Sequence, residues 1–211
     1  MGNYPSWAGG FLMSDITIKY YDDNAEAFYD STVNADMSFQ YNLFLKHLPQ
    51  GAHILDLGCG SGRDSKYFIE SGYTVEAVDG SLKLCKKATA LIGQPVRQLM
   101  FQDMDYNNKF NGIWASASLL HVPVNELPEV FFKISTALKN NGVFYVSFKH
   151  GEYSGVRNGR KFSDFTEQSI SAIVKSVGCF CIIETHVTTD VRKNRQNEKW
   201  INITLTNNHI A

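Results

Sequence analysis

The chain has no charge bias, little cysteine and no long apolar run, and each shortage removes a class of function. Lys and Arg number 20 against 21 Asp and Glu, a formal net charge of −1. With no basic tail, that balance disfavours wholesale nucleic-acid binding. No apolar stretch reaches the ~18 residues that a membrane-spanning helix needs, so no membrane partner is expected. The four cysteines, Cys59, Cys85, Cys179 and Cys181, form no C-x-x-C pair and have no histidine cluster beside them, so no metal is expected. Cys179 and Cys181 read as small core hydrophobes on one strand face, and a reduced, cytoplasmic protein fits this usage. A secretory leader is not evident. Residues 1–12 are rich in Gly, Trp and Tyr and carry no charge, so residues 1–13 read as an extension ahead of an older start at Met13.

Against these absences stands one dense segment. Residues 53–57 are mostly apolar and run straight into Gly58, Gly60 and Gly62, after which a helical pattern begins. Glycine at alternate positions lets the backbone turn sharply and lets a ligand come close to it. The helix start behind such a turn offers free N–H groups. The next strand pattern, 74–79, ends in Asp79. An acid about 20 residues past a glycine turn is placed to take both hydroxyls of a ribose. A nucleoside cofactor is therefore expected. The dinucleotide fingerprint needs a third glycine where this chain has Arg63, and Asp56 before the turn suits a cationic amino-acid end better than a pyrophosphate.

The segment Asp56-Leu-Gly-Cys-Gly-Ser-Gly62 resembles motif I of the class I S-adenosylmethionine-dependent methyltransferases, and the likeness continues from about residue 20 to 206. Within the family the chain looks similar to the compact type 11 and tellurite-resistance-type groups. The resemblance implies S-adenosyl-L-methionine as cofactor, held by Asp56, Gly58, Cys59, Gly60 and Gly62 at the first turn. It implies the ribose at Asp79, with Gly80 and Ser81 following. It implies the adenine at Asp103 and Met104, Asp105 competing with Asp103. Ala115 and Ser116 would end the fourth strand beside the methyl group, and Tyr21 would cover the cofactor from the first helix.

The coarse pattern gives one α/β domain, a doubly wound Rossmann-like sheet of about seven strands with helices on both faces. The family makes its last strand antiparallel. Residues 14–48 read as two helices. Strands are expected at 53–57, 74–79, 96–102, 113–116, 143–149, 181–188 and 200–206. Helices are expected at 63–70, from a Ser81 cap to 91, from an Asn125 cap over 126–139 with a stop at 140–142, and up to 177. Residues 14–50 would then cap a cofactor-binding core at 51–149, and 150–211 would supply substrate-side loops and the last two strands.

The acceptor is read from polar groups beyond the strand ends. His121 is the ring nitrogen expected there, either as a general base or as a group that only bonds the backbone. Lys149, Arg157, Arg160 and Arg192 would form an electropositive wall for a small polar or anionic substrate. The competing arrangement pairs these cations with acids such as Asp190 and Glu198. No Asn/Asp-Pro-Pro-aromatic segment follows the fourth strand, which disfavours base methylation of nucleic acid. A non-catalytic cofactor-binding module, a nicotinamide oxidoreductase, and a methyltransferase for RNA or protein working with a partner are the competing functions. The chain is expected to be a monomer or a homodimer.

Overall fold

Ile54, Leu55 and Leu57 are fully buried on both faces of the strand His53–Leu57 (β1), the burial that a parallel sheet interior requires. In the computed structural model, which describes residues 8–192 and 195–208, β1 lies inside a seven-stranded sheet. Its other strands are Thr74–Asp79 (β2), Arg97–Gln98 (β3), Phe110–Ala115 (β4), Leu138–Lys149 (β5), Phe180–Thr189 (β8) and Lys199–Asn207 (β9). The spatial order is β3-β2-β1-β4-β5-β9-β8. The first five strands pair parallel, and β9 runs antiparallel to both β5 and β8. This is the Rossmann-like architecture that the sequence implied.

Helices cover both faces. Arg63–Glu70 (α4) packs on one side with Ser38–Leu45 (α3), bringing Phe68 and Phe44 against Ile54, Trp114 and Tyr145. The Trp114 and Tyr145 rings stack at 3.9 Å and 11° on neighbouring strands. On the other side Leu127–Ala137 (α6) and Glu167–Val177 (α7) bury Phe131, Ile134, Ile170 and Val174 against Phe144 and Ile203. Leu82–Ile92 (α5) follows β2 and starts at Ser81, whose hydroxyl accepts from Leu84 N at 3.2 Å, the expected cap. At α7, Thr166 and Ser169 exchange side-chain and backbone bonds in a capping box. Thr166→Ala should therefore cost about 1 kcal/mol, seen as a lower urea midpoint at unchanged slope.

Several boundaries depart from expectation for local reasons. The N-terminal region holds three helices, Ala8–Asp23 (α1), Ala25–Thr32 (α2) and α3, where two were expected. Asn24 breaks the first run by bonding Tyr20 O with its side chain at 2.8 Å. α1 begins within the segment read as an extension, while residues 1–7 lie outside the described residues. β3 has two residues, not seven, because β2 ends at Asp79 and leaves no further partner after Leu99 N bonds Asp79 O. The chain then tightens into a single 3-10 turn at Phe101–Asp103. Asn125 does not cap α6; Glu126 holds that position without a side-chain bond. No loop separates α6 from β5. The strand begins at Leu138 opposite Phe110, and Asn141 at φ +58 absorbs the irregularity before Gly112 meets Val143. Cys181 is exposed rather than in the core, lying on sheet-edge strand β8, while Cys179 is buried.

One element was not expected. Ser154–Arg157 (β6) and Arg160–Ser163 (β7) form an antiparallel hairpin. Its two turn residues, Asn158 and Gly159, take φ of +48 and +74. Asn-Gly is the pair such a mirror-image turn demands, so the signal was present in the sequence. The hairpin docks on α1, where Lys161 N bonds Thr17 Oγ1 at 3.1 Å.

Candidate active site

At the carboxyl ends of β1, β2, β4 and β5 lies a cavity of about 570 Å³, the place where open α/β sheets take ligands. Its floor is the glycine turn. Gly58 sits at φ +83, and a Cβ there would meet Ser118 Cβ at 2.4 Å. Gly62 at φ +81 opens α4, and a Cβ there would press on Ala88 of α5 at 2.9 Å. Both positions thus need glycine for conformation and for space.

Asp79 is buried at the wall of this cavity. One carboxylate oxygen accepts from Gly60 N and the other from Ser81 N, each at 2.8 Å. Each oxygen keeps a second lone pair for a ligand donor. Desolvation pushes its pKa up to about 6, against the pull of those two backbone N–H groups.

The two acids of the first turn have different surroundings. Asp56 is buried beneath the turn, accepts from Ser65 Oγ at 2.6 Å, and does not line the cavity. Burial and then the negative charge of Asp64 raise its pKa. Asp64 does reach the cavity. It accepts from Tyr41 Oη at 2.6 Å, Trp114 Nε1 at 2.8 Å, and Arg63 Nε and Nη2 at 2.6 and 3.0 Å. Desolvation works to raise its pKa, but the charge of Arg63 and these donors hold it below the usual range.

Of the expected cofactor residues, Tyr21, Gly58, Cys59, Gly60, Asp79, Gly80 and Ser116 line the cavity, whereas Asp56, Gly62, Ser81, Asp103, Met104 and Ala115 do not. The stretch expected to hold the adenine departs most clearly. Asp103 is exposed and Met104 is buried in the core beneath α6. Leu99, Met100, Phe101 and Gln102 face the cavity instead. The early end of β3 and the 3-10 turn rotate the chain by that point, which shifts the lining residues toward the strand.

Elsewhere on the cavity wall, His121 Nδ1 lies 2.5 Å from Lys161 O, and its Nε2 lies 2.8 Å from Tyr21 Oη. A carbonyl only accepts, so Nδ1 carries the proton and Nε2 accepts from the tyrosine hydroxyl. Desolvation, partly countered by the Lys161 bond and reinforced by Arg160, pushes the His121 pKa down to about 4. Burial raises that of Tyr21, with Arg160 opposing. Of the four expected wall cations, Lys149 pairs with Glu198, Arg157 with Asp164, and Arg192 with Asp190 at 2.5 Å. Arg160 has no carboxylate partner among the described residues. It lies over the Tyr20 ring at 4.4 Å and the Phe162 ring at 5.1 Å.

Sequence reasoning missed Asp64, Ser118 and the 99–102 wall. Ser118 donates to Leu57 O at 2.7 Å and follows Ala117, which is held at φ +52 with its N–H on Ser147 Oγ. A non-glycine residue in that region marks strain of a kind that gathers at functional sites. An alanine gives no sign of it in a sequence.

Residues 54–142 match the model of a family described as a methyltransferase domain. An uncharacterized methyltransferase of Synechocystis is 28% identical over 96 residues, 44% of this chain and 45% of the relative. The match therefore spans about half the length of that curated protein. Among solved structures, a Burkholderia thailandensis 1,6-didemethyltoxoflavin-N1-methyltransferase, bound to 1,6-didemethyltoxoflavin and S-adenosylhomocysteine, superposes with a TM-score of 0.74. It is 22% identical, with 99% of this chain and 94% of that one covered. A Methanosarcina mazei S-adenosylmethionine-dependent methyltransferase follows at 0.66, 17% identical, covering 77% and 95%. At these identities the structures share the fold.

Proposed function

We propose that this chain, whose residues 54–142 match a methyltransferase-domain family, is a class I S-adenosylmethionine-dependent methyltransferase that transfers a methyl group from S-adenosylmethionine to a small polar or anionic molecule. The observation that carries the reading is Asp79. Its two oxygens are fixed by Gly60 N and Ser81 N and each keeps a lone pair toward the cavity, matching two adjacent ribose hydroxyls. Gly58, Cys59 and Gly60 would hold the adenosyl group at close range, Met100 and Phe101 would flank the base, and Asp64 and Arg63 would face the methionyl end. When bound, the sulfonium supplies an activated methyl carbon together with its own leaving group. The protein's task is then alignment, which contributes up to about 7–11 kcal/mol of barrier lowering.

A small acceptor is supported by the near-neutral chain and by the Burkholderia neighbour, whose named substrate is a small molecule. An anionic or polar one is supported by Arg160. The other three expected wall cations are already neutralised. In this reading residues 14–50 cap the core at 51–149, and 150–211 form the acceptor side. No helix among the described residues is long and apolar enough to cross a membrane. We propose a cytoplasmic monomer or homodimer, β8 being the longer of the two sheet edges and the one through which two copies would pair.

The test is calorimetry with S-adenosylhomocysteine against pH. Ribose hydroxyls donate, so binding needs the ionised carboxylate. With a pKa of about 6 in the free protein, affinity should be flat above that value. Below it, Kd should rise about tenfold per pH unit. Asp79→Asn should bind weakly throughout, with this pH dependence gone. Tight binding that ignores pH down to about 4.5 would place the ribose elsewhere.

A further inference from the structure

We propose that Tyr21 and His121 form a proton relay that deprotonates a flat acceptor bearing an acidic O–H or ring N–H, whose resulting anion is held by Arg160. The inference rests on the methyltransferase reading and adds the chemical class of its acceptor.

Three observations converge. First, the tautomer of His121 is fixed by Lys161 O on Nδ1, which aims the lone pair of Nε2 at Tyr21 Oη. Tyr21 and His121 both line the cavity, so a proton delivered to Tyr21 Oη can be matched by passage of the Tyr21 proton to Nε2. Second, Arg160 Nη1 stands 3.4 Å from the same hydroxyl. In the hairpin register Arg157 and Arg160 face each other directly. Like charges so placed repel. Asp164 neutralises Arg157, and among the described residues no carboxylate serves Arg160; the Nε atoms of both arginines are buried without a hydrogen-bond partner. Third, Tyr21, Phe28 and Phe162 line this part of the cavity with rings, which suits a flat molecule.

The atoms balance as follows. The acceptor proton goes to Tyr21 Oη as the Tyr21 proton goes to His121 Nε2. The electron pair left on the acceptor forms the bond to the methyl carbon, and the pair of the old carbon–sulfur bond stays on sulfur. The imidazolium gives its proton to solvent after the product leaves. An anion between Arg160 and Tyr21 offsets the two influences, desolvation and the Arg160 charge, that keep His121 neutral in the free protein. A thiolate acceptor would need no such relay.

The test uses 4-nitrophenol, whose anion absorbs visible light, titrated into the protein with and without S-adenosylhomocysteine. In wild type the bound probe should be ionised at a pH where the free probe is still largely neutral. Tyr21→Phe and His121→Gln should lose that ionisation by about tenfold or more, with the melting temperature of each variant as the folding control. Arg160→Met should lose it too, and Arg160→Lys should restore most of it. Equal ionisation in wild type and Tyr21→Phe would overturn the relay, as would failure of the probe to bind. Ionised probe in a protein that binds no S-adenosylhomocysteine would leave the relay standing and remove the methyltransferase reading.

Discussion

Asp79→Ala should weaken S-adenosylhomocysteine binding by about 100-fold or more. A hydrogen bond to a charged group contributes roughly 1.5–3 kcal/mol, and the carboxylate has two lone pairs left for the ribose. Two such bonds come to about 3 kcal/mol at the low end, which is a factor of about 100. The substitution also frees Gly60 N in the glycine turn and Ser81 N at the start of α5, each held by Asp79 at 2.8 Å. The turn itself keeps its other fastenings, since Gly58 N and Cys59 N both bond Val78 O. The variant should therefore fold, and its melting temperature serves as the control. An unchanged Kd, measured by calorimetry at pH 7.5, would detach Asp79 from cofactor binding.

Asp64→Ala should cost about 3–5 kcal/mol of folding stability, the usual loss when one partner of a buried ion pair is removed. Its carboxylate is the meeting point of Tyr41, Trp114 and Arg63, and it is almost fully buried. Removing it leaves the Arg63 guanidinium, itself largely buried, without its counter-charge, and two further donors unpaired. Whole domains are stable by only about 5–15 kcal/mol, so Asp64→Asn, which keeps the volume and part of the bonding, is the companion variant. It should fall between wild type and alanine in guanidinium denaturation, and Trp114→Phe should lose about 1–2 kcal/mol through the missing Nε1 bond. A loss under 1 kcal/mol for Asp64→Ala would mean that Arg63 escapes to solvent.

What the sequence revealed and concealed divides along a physical line. β1, α4 and β2 were legible to the residue, because an apolar strand, a glycine turn and an amphipathic helix are each specified by neighbours in the chain. β3 was misjudged because its length is set by where β2 stops, not by its own residues. The hairpin was legible in Asn158-Gly159 and was overlooked. The fate of the wall cations was not legible. Lys149 and Glu198 are 49 residues apart, and only the fold decides that they meet while Arg160 is left to the aromatic rings. Tyr21 and His121, 100 residues apart, were likewise identified singly, and their contact came from the docking of α1 on the hairpin.

The position of β9 has a consequence for the protein's synthesis. β9 is made after β8 yet lies between β5 and β8. Until Lys199–Asn207 clears the ribosome, β8 lacks the strand it pairs with, and the flank of β5 stays open. At about 5–20 residues per second, the parallel half of the sheet has several seconds to assemble before its closing wedge arrives. A nascent chain stalled before Lys199 should thus be a half-sheet with two sticky margins, a natural client for a chaperone.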